Sequence, residues 1–403
     1  MFNDIVRRYR AFLRLPDVAR LLATALLSRL PIGSLSLAML MYVRALSGSF
    51  ALAGLTVGGY LAASAIVAPA LGRIIDRRGP RAVLFATGIV CPTALLSILL
   101  ADRLALSTGA LVGAAAIAGG FAPPITVLTR TMWRYRFDDP NERRTAFALD
   151  AVLIEMAFTL GPMLIAGLLA VASPRIAFAA AWCLVTLAVP VFVLSPALKY
   201  WRLEPGVERH LLGPLSEPRL LVVFAVTFLV MFALGLLEIA YAGFATAAAM
   251  PAFAGVLIAV NSLGSGAGGL VFGGLPLATP IERLLPRLLL LLAVPLAAHA
   301  LTASPWLLAL LALAAGVGIA PSLTVVTLLV SANAPSRYAT EAFTWSTTVL
   351  VGGLGAGNAA GGRMVEMYGA RTVFAVAAGI AAAAAICALG VRQRGTGPVL
   401  VDP

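Results

Sequence analysis

Charge is scarce in this chain. Only 11% of its 403 residues are Asp, Glu, Lys or Arg, against 61% hydrophobic, and the mean hydropathy is +0.98. A chain with so few charged groups cannot hide its apolar surface in one soluble core, so it must live in lipid. Acids are scarcer still, 17 against 29 basic residues, and Lys199 is the one lysine. The net charge of +12 would suggest nucleic acid in a soluble protein. Here the basic residues are spread between apolar blocks rather than gathered into a stripe with aromatics, so no nucleic-acid partner is expected. Cys91, Cys183 and Cys387 sit singly in apolar runs, without metal-ligand or disulfide spacing. Two histidines and no His-x-x-x-His pair offer neither a nucleophile with its base nor a metal centre, so an enzyme is not expected, nor a metal or cofactor. The glycine runs 264–269 and 352–357 lack the Lys-Ser/Thr of a phosphate-binding loop, so ATP is not implied.

What the chain has in abundance is apolar segments of about 20 residues, the length that crosses ~30 Å of hydrocarbon. Twelve can be counted: 20–44, 50–72, 82–101, 107–130, 145–171 and 175–197, then 218–242, 251–275, 286–303, 305–331, 339–362 and 371–391. The longest polar connection separates the sixth from the seventh and carries Arg202, Glu204, Glu208, Arg209, His210 and Glu217. The expected organisation is a six-helix half over 1–198, a linker over 199–217 and a second six-helix half over 218–403. Phe2, Ile5, Val6, Tyr9, Phe12 and Leu13 recur at helical spacing among arginines, which predicts an interfacial amphipathic helix before the first span rather than a removed signal peptide. Alternate connections hold 23 basic residues and the opposite ones five, so both termini are expected to be cytoplasmic.

The halves resemble each other. Ala146-Phe147 and Gly161 recur 196 residues later as Ala342-Phe343 and Gly357. Thr126-Val127-x-Thr129 recurs 198 residues later as Thr324-Val325-x-Thr327. Near-constant spacing of about half the chain points to duplication, with span five echoing span eleven and span four echoing span ten.

Between spans two and three lies Gly72-Arg-Ile-Ile-Asp76-Arg77-Arg-Gly79-Pro-Arg81. This resembles the loop of the major facilitator superfamily of secondary transporters, Gly-x-x-x-Asp-Arg/Lys-x-Gly-Arg/Lys-Arg/Lys, with Pro80 where the family prefers a base. The resemblance implies an all-α polytopic membrane protein: twelve transmembrane helices in two six-helix halves about a pseudo-twofold axis. It also implies that Asp76, supported by Gly72, Arg77, Gly79 and Arg81, latches the halves when the cavity opens outward. Arg130 and the start of span eleven are the expected partners of Asp76. Gly161-Pro162 in span five resembles the family's exporter motif, with Ala157 in place of its first glycine and Ile165-Ala166 in place of its closing pair. Its small residues are expected to let span five approach a helix of the other half.

Ionisable groups within the spans are functional candidates, because burying a charge in hydrocarbon costs a few kcal/mol. Arg29 lies about ten residues into span one, just before Pro31 and Gly33, which should break that helix. Glu155 lies about as deep in span five, so the two are expected to pair, either as a substrate or proton site or as a fixed structural link. Asp150 is expected to be structural or gating. Glu238, Asn261 and Trp345 are further substrate or coupling candidates, with Asn358 in span eleven. Glu341 reads as a helix-start acid and His299 as an interfacial residue. The expectation is a monomeric transporter in the bacterial cytoplasmic membrane, moving a small organic solute by alternating access. Proton-coupled efflux is favoured, with an importer or uniporter of an anionic metabolite as the alternative. Membrane lipid is the other expected partner, and a sensor or membrane-embedded enzyme is the distant alternative.

Overall fold

The computed structural model describes residues 2–202, 213–250, 253–275 and 279–391. Glu204, Glu208, Arg209 and His210 of the polar connection lie outside the described residues, as does the tail after Val391. Among the described residues the chain is helical, with no strand. The first half carries α1 (Phe2–Leu13), α2 (Val18–Leu27), α3 (Leu30–Ser47), α4 (Phe50–Arg78), α5 (Pro80–Leu99), α6 (Thr108–Gly120), α7 (Ile125–Arg136), α8 (Pro140–Val171) and α9 (Pro174–Val193). The second carries α10 (Pro218–Ala247), α11 (Phe253–Gly274), α12 (Ile281–Leu301), α13 (Pro305–Val317), α14 (Ile319–Asn333) and α15 (Ala339–Ala388). Two compact units result: residues 1–207 with 343–348, and residues 208–342 with 349–403.

Helix starts follow local chemistry. Ser49, Ser107, Ser173 and Ser304 each accept a hydrogen bond from the backbone N–H three residues on, and Asp139 accepts from Asn141 and Glu142. Each cap satisfies a donor that the first helical turn leaves without a partner. Pro80, Pro140, Pro174, Pro218 and Pro305 open their helices, where a missing N–H costs nothing. Gly79, at φ 82°, turns the chain between α4 and α5 in a conformation that a side chain would strain.

Among the described residues eleven helical stretches are long and apolar enough to cross a membrane. The last is broken at Gly369 (φ 76°, ψ 165°). About 30 residues of α15 precede that break and about 19 follow, ~45 Å and ~28 Å of helix, so each part can cross. Spans one, four and ten are also interrupted, at Ser28–Arg29, at 121–124 and at Gly318. Pro31 sits in the first turn of the restarted α3, so the expected break in span one falls just before the proline.

Backbones meet where glycines allow it. A Cβ on Gly33 would stand 2.6 Å from the Ala157 carbonyl oxygen, and one on Gly161 2.9 Å from the Ser34 nitrogen. Gly161 therefore fits span five against span one of its own half. The second unit repeats this crossing: Gly235 abuts the Leu354 carbonyl and Gly357 abuts that of Phe232. Spans two and four cross at Gly119 on Tyr60, and spans eight and ten at Gly264 on Leu313 and Gly316 on Asn261. Such small-residue seams let helices pack closely where lipid supplies no hydrophobic drive between them. Around the first seam a core forms in which Tyr42 stacks on Phe178 at 5.1 Å and donates its hydroxyl to the Leu99 carbonyl at 2.9 Å.

The amphipathic α1 docks through Phe12, which is buried against Phe137 with ring centroids 5.2 Å apart. Tyr9 of the same helix has its phenol pushed up to about 12 by burial, against the opposing pull of Arg144 and Arg8. Gly33→Ala is expected to destabilise the protein by about 1–3 kcal/mol through overpacking, measured as detergent melting temperature. Gly167→Ala, where a Cβ meets nothing within 4 Å, should leave that temperature nearly unchanged.

Candidate functional site: a buried charge triad and an exposed carboxylate

The break in span one places Arg29 at the junction of α2 and α3, where its guanidinium points into the first unit. It is fully buried. One terminal nitrogen donates to Asp150 Oδ1 at 2.6 Å, and Arg130 Nε donates to Asp150 Oδ2 at 3.2 Å. Arg29 also reaches the backbone carbonyls of Asp150 and Thr126, each at 3.5 Å. One carboxylate thus joins spans one, four and five, with side-chain exposures of 0%, 8% and 2% for Arg29, Arg130 and Asp150. Two cations against one anion leave this cluster with an excess positive charge.

One expectation changes here. Arg29 pairs with Asp150 rather than Glu155, because residues five apart on a helix differ by ~140° in direction and ~7.5 Å in rise, so the face turned to Arg29 is not the one carrying Glu155. Arg130 gives its Nε–H to the same Asp150. Arg130 and Asp150 lie on the two arms of the α7–α8 hairpin, six residues before the end of α7 and ten after the start of α8. Asp76 itself is buried, while Arg77 and Arg81 are exposed. Gly72 is buried within α4. Glu155 is half-buried in α8, one turn before the glycine seam.

In the second unit Glu238 is exposed within α10, and its Oε2 accepts from Asn358 Nδ2 of α15 at 3.4 Å. Among the described residues Asn358 Oδ1 is buried with no hydrogen-bond partner. Asn261 instead ties α11 to α13, donating to the Ala312 carbonyl at 2.9 Å, which makes it part of a seam. Trp345 is half-buried, and its indole N–H has no partner among the described residues. Glu341 is buried in the first turn of α15, where its carboxylate fills the space beside Gly213.

His299 is not interfacial. It is fully buried, with Nδ1 2.6 Å from the Pro295 carbonyl and Nε2 3.1 Å from the Tyr241 hydroxyl. A carbonyl can only accept, so Nδ1 carries the proton and the tyrosine hydroxyl donates to Nε2. Phe374 closes the ring cluster at 5.2 Å from the imidazole and 5.8 Å from the phenol. Among the described residues no group of His, Cys, Asp and Glu is arranged to hold a metal.

Helical seams, broken spans and the loop from Gly72 to Arg81 belong together in one comparison: the family model of the Major Facilitator Superfamily matches residues 21–349. The chain belongs to the major facilitator superfamily. No curated protein sequence matches it. Among solved structures it is similar to a bacterial homologue of the iron transporter ferroportin in an outward-facing state, with TM-score 0.73 and 14% identity over 93% of this chain and 97% of that one. The transporter FucP in the outward conformation gives TM-score 0.73 at 12% identity, over 95% and 100%. The human organic anion transporter MFSD10 gives 0.65 at 16%, over 93% and 100%. At these identities the likeness carries the fold alone. As a member of the superfamily, this multi-pass membrane protein is a transporter rather than an enzyme.

In this major facilitator protein the triad holds three spans at one point. Asp150→Asn is expected to cost about 3–5 kcal/mol, because it leaves two buried guanidinium groups without their carboxylate. The loss should appear as a large drop in detergent melting temperature.

Proposed function

We propose that this transporter moves a small organic solute out of the cell in exchange for protons, and that Glu238 is the carboxylate that takes up and releases them. The observation that supports this most directly is an exposed acid inside a membrane-spanning helix, immediately after an 18-residue stretch of mean hydropathy 2.9. A carboxylate turned toward acyl chains would cost several kcal/mol, so exposure at this depth fits a group that faces a water-filled cavity. The Asn358 amide holds Glu238 in place without supplying a compensating charge. Glu155, half-buried near the middle of span five, is the second titrating candidate in this reading. The exporter-like Gly161-Pro162 favours the outward direction.

In the same reading Asp76, with Gly72, Arg77, Gly79 and Arg81, acts as the conformational latch. The termini face the cytoplasm of a bacterial cell, and the transporter works as a monomer in the inner membrane, with two six-helix halves divided by the linker at 199–217. Asn261 and Trp345 serve packing and the cavity wall respectively.

A second reading rests on a different observation. Two arginines against one acid in the triad leave positive charge within the first unit, which suits uptake or facilitated passage of an anionic metabolite.

Proteoliposome flux across a panel of small organic solutes separates the two. Proton-coupled export predicts that an inwardly directed proton gradient accelerates solute exit by about tenfold or more. Glu238→Gln should retain solute exchange at equal pH while losing the response to the gradient. An anion that moves with no accompanying proton flux would overturn the efflux reading in favour of the second.

A further inference from the structure

We propose that the first unit carries a binding site for an anionic phospholipid, in a groove between α5 and α9. The groove has a volume of about 640 Å³, within the range of roughly 300–1,000 Å³ typical of small-ligand sites. Its lining changes character along its length. Leu84, Phe85, Val189 and Val193 line it with apolar surface, while Arg81 and Lys199 supply two cations. Arg81 is the second residue of α5, and Lys199 lies six residues past the end of α9, so both charges sit where the spans begin and end. Among the described residues no carboxylate lines the groove. Ser195, its remaining hydroxyl, is already engaged: it donates to the Phe192 carbonyl at 2.6 Å and accepts from the Ala197 N–H at 3.2 Å.

The occupant follows from this polarity and from what surrounds it. Phe85 is 72% exposed and Leu194 83%, so the groove opens onto an apolar surface that, within a membrane span, meets acyl chains. Arg81 and Lys199 are both exposed and can reach a common anion from opposite walls. A ligand that fits has a negatively charged head at the membrane–water boundary and a hydrocarbon chain running alongside the helices. A phospholipid with an anionic headgroup has that order of parts, whereas a free phosphate would leave the apolar length unfilled. Basic residues at the membrane surface each contribute about 1 kcal/mol toward anionic lipid. Neither Glu238 nor the charge triad takes part, so the site stands apart from solute recognition.

Native mass spectrometry of the purified full-length chain with phosphatidylglycerol or phosphatidylcholine tests the assignment. The expected result is a preference for phosphatidylglycerol on the order of tenfold, lost in the Arg81→Gln, Lys199→Gln double variant and kept in Arg81→Lys. Val193→Trp, which fills the apolar groove while leaving both cations, should also lose the adduct, and this variant decides the matter if the double variant does not fold. Equal binding of the two lipids, or phosphatidylglycerol adducts that survive in the double variant, would overturn the proposal. Displacement by millimolar inorganic phosphate with no effect of Val193→Trp would overturn it too, in favour of a site for free anions.

Discussion

Asp150 holds two guanidinium groups at once, and the interior of the first half is arranged around that meeting. In hydrocarbon a bare arginine has no water to turn to, so Arg29 can stay buried only because span one is interrupted there and α8 brings a carboxylate to 2.6 Å. The break frees the backbone to place Arg29 between α3 and α8. The α7–α8 hairpin brings Arg130 to the other oxygen of the same group. Spans one, four and five are thereby tied at one depth, and the Gly33–Gly161 seam, a few residues further along, closes spans one and five against each other.

The seams and the charges solve the same problem by different means. Lipid does not push helices together as water does, so association depends on close backbone packing and on polar contacts with a definite partner. The chain repeats its glycine crossings in both units, between spans one and five and between seven and eleven, but it does not repeat the triad. Elsewhere in the second unit, across spans seven, nine and twelve, an imidazole and a phenol join in a buried aromatic cluster. The two units keep the duplicated backbone architecture and differ in their polar chemistry. One half is joined by a buried charge cluster, while the other carries an exposed carboxylate, Glu238.

Burial also separates the ionisable groups by role. Arg29, Arg130 and Asp150 satisfy one another and are nearly closed to solvent, which suits a fixed joint. Glu238 and Glu155 keep partial or full exposure, which suits exchange with water. Exposure distinguishes these two sets.

Much of the fold was legible from the residues alone. Membrane residence follows from the shortage of charge. The spans follow from runs of about 20 apolar residues, and the division between spans eleven and twelve falls where glycine permits φ 76°. Caps and opening prolines mark the helix starts because each answers a local backbone need. Pairings were harder to read. Depth counting placed Arg29 and Glu155 level, but the rotation of α8 about its axis chose Asp150. His299, judged from its place near a helix end, proved buried because Tyr241 and Phe374 come to it from helices distant in sequence. Local sequence determines what each segment must bury and where its backbone can bend. Which side chains then face each other depends on helix rotation and crossing, which are settled only when the segments pack.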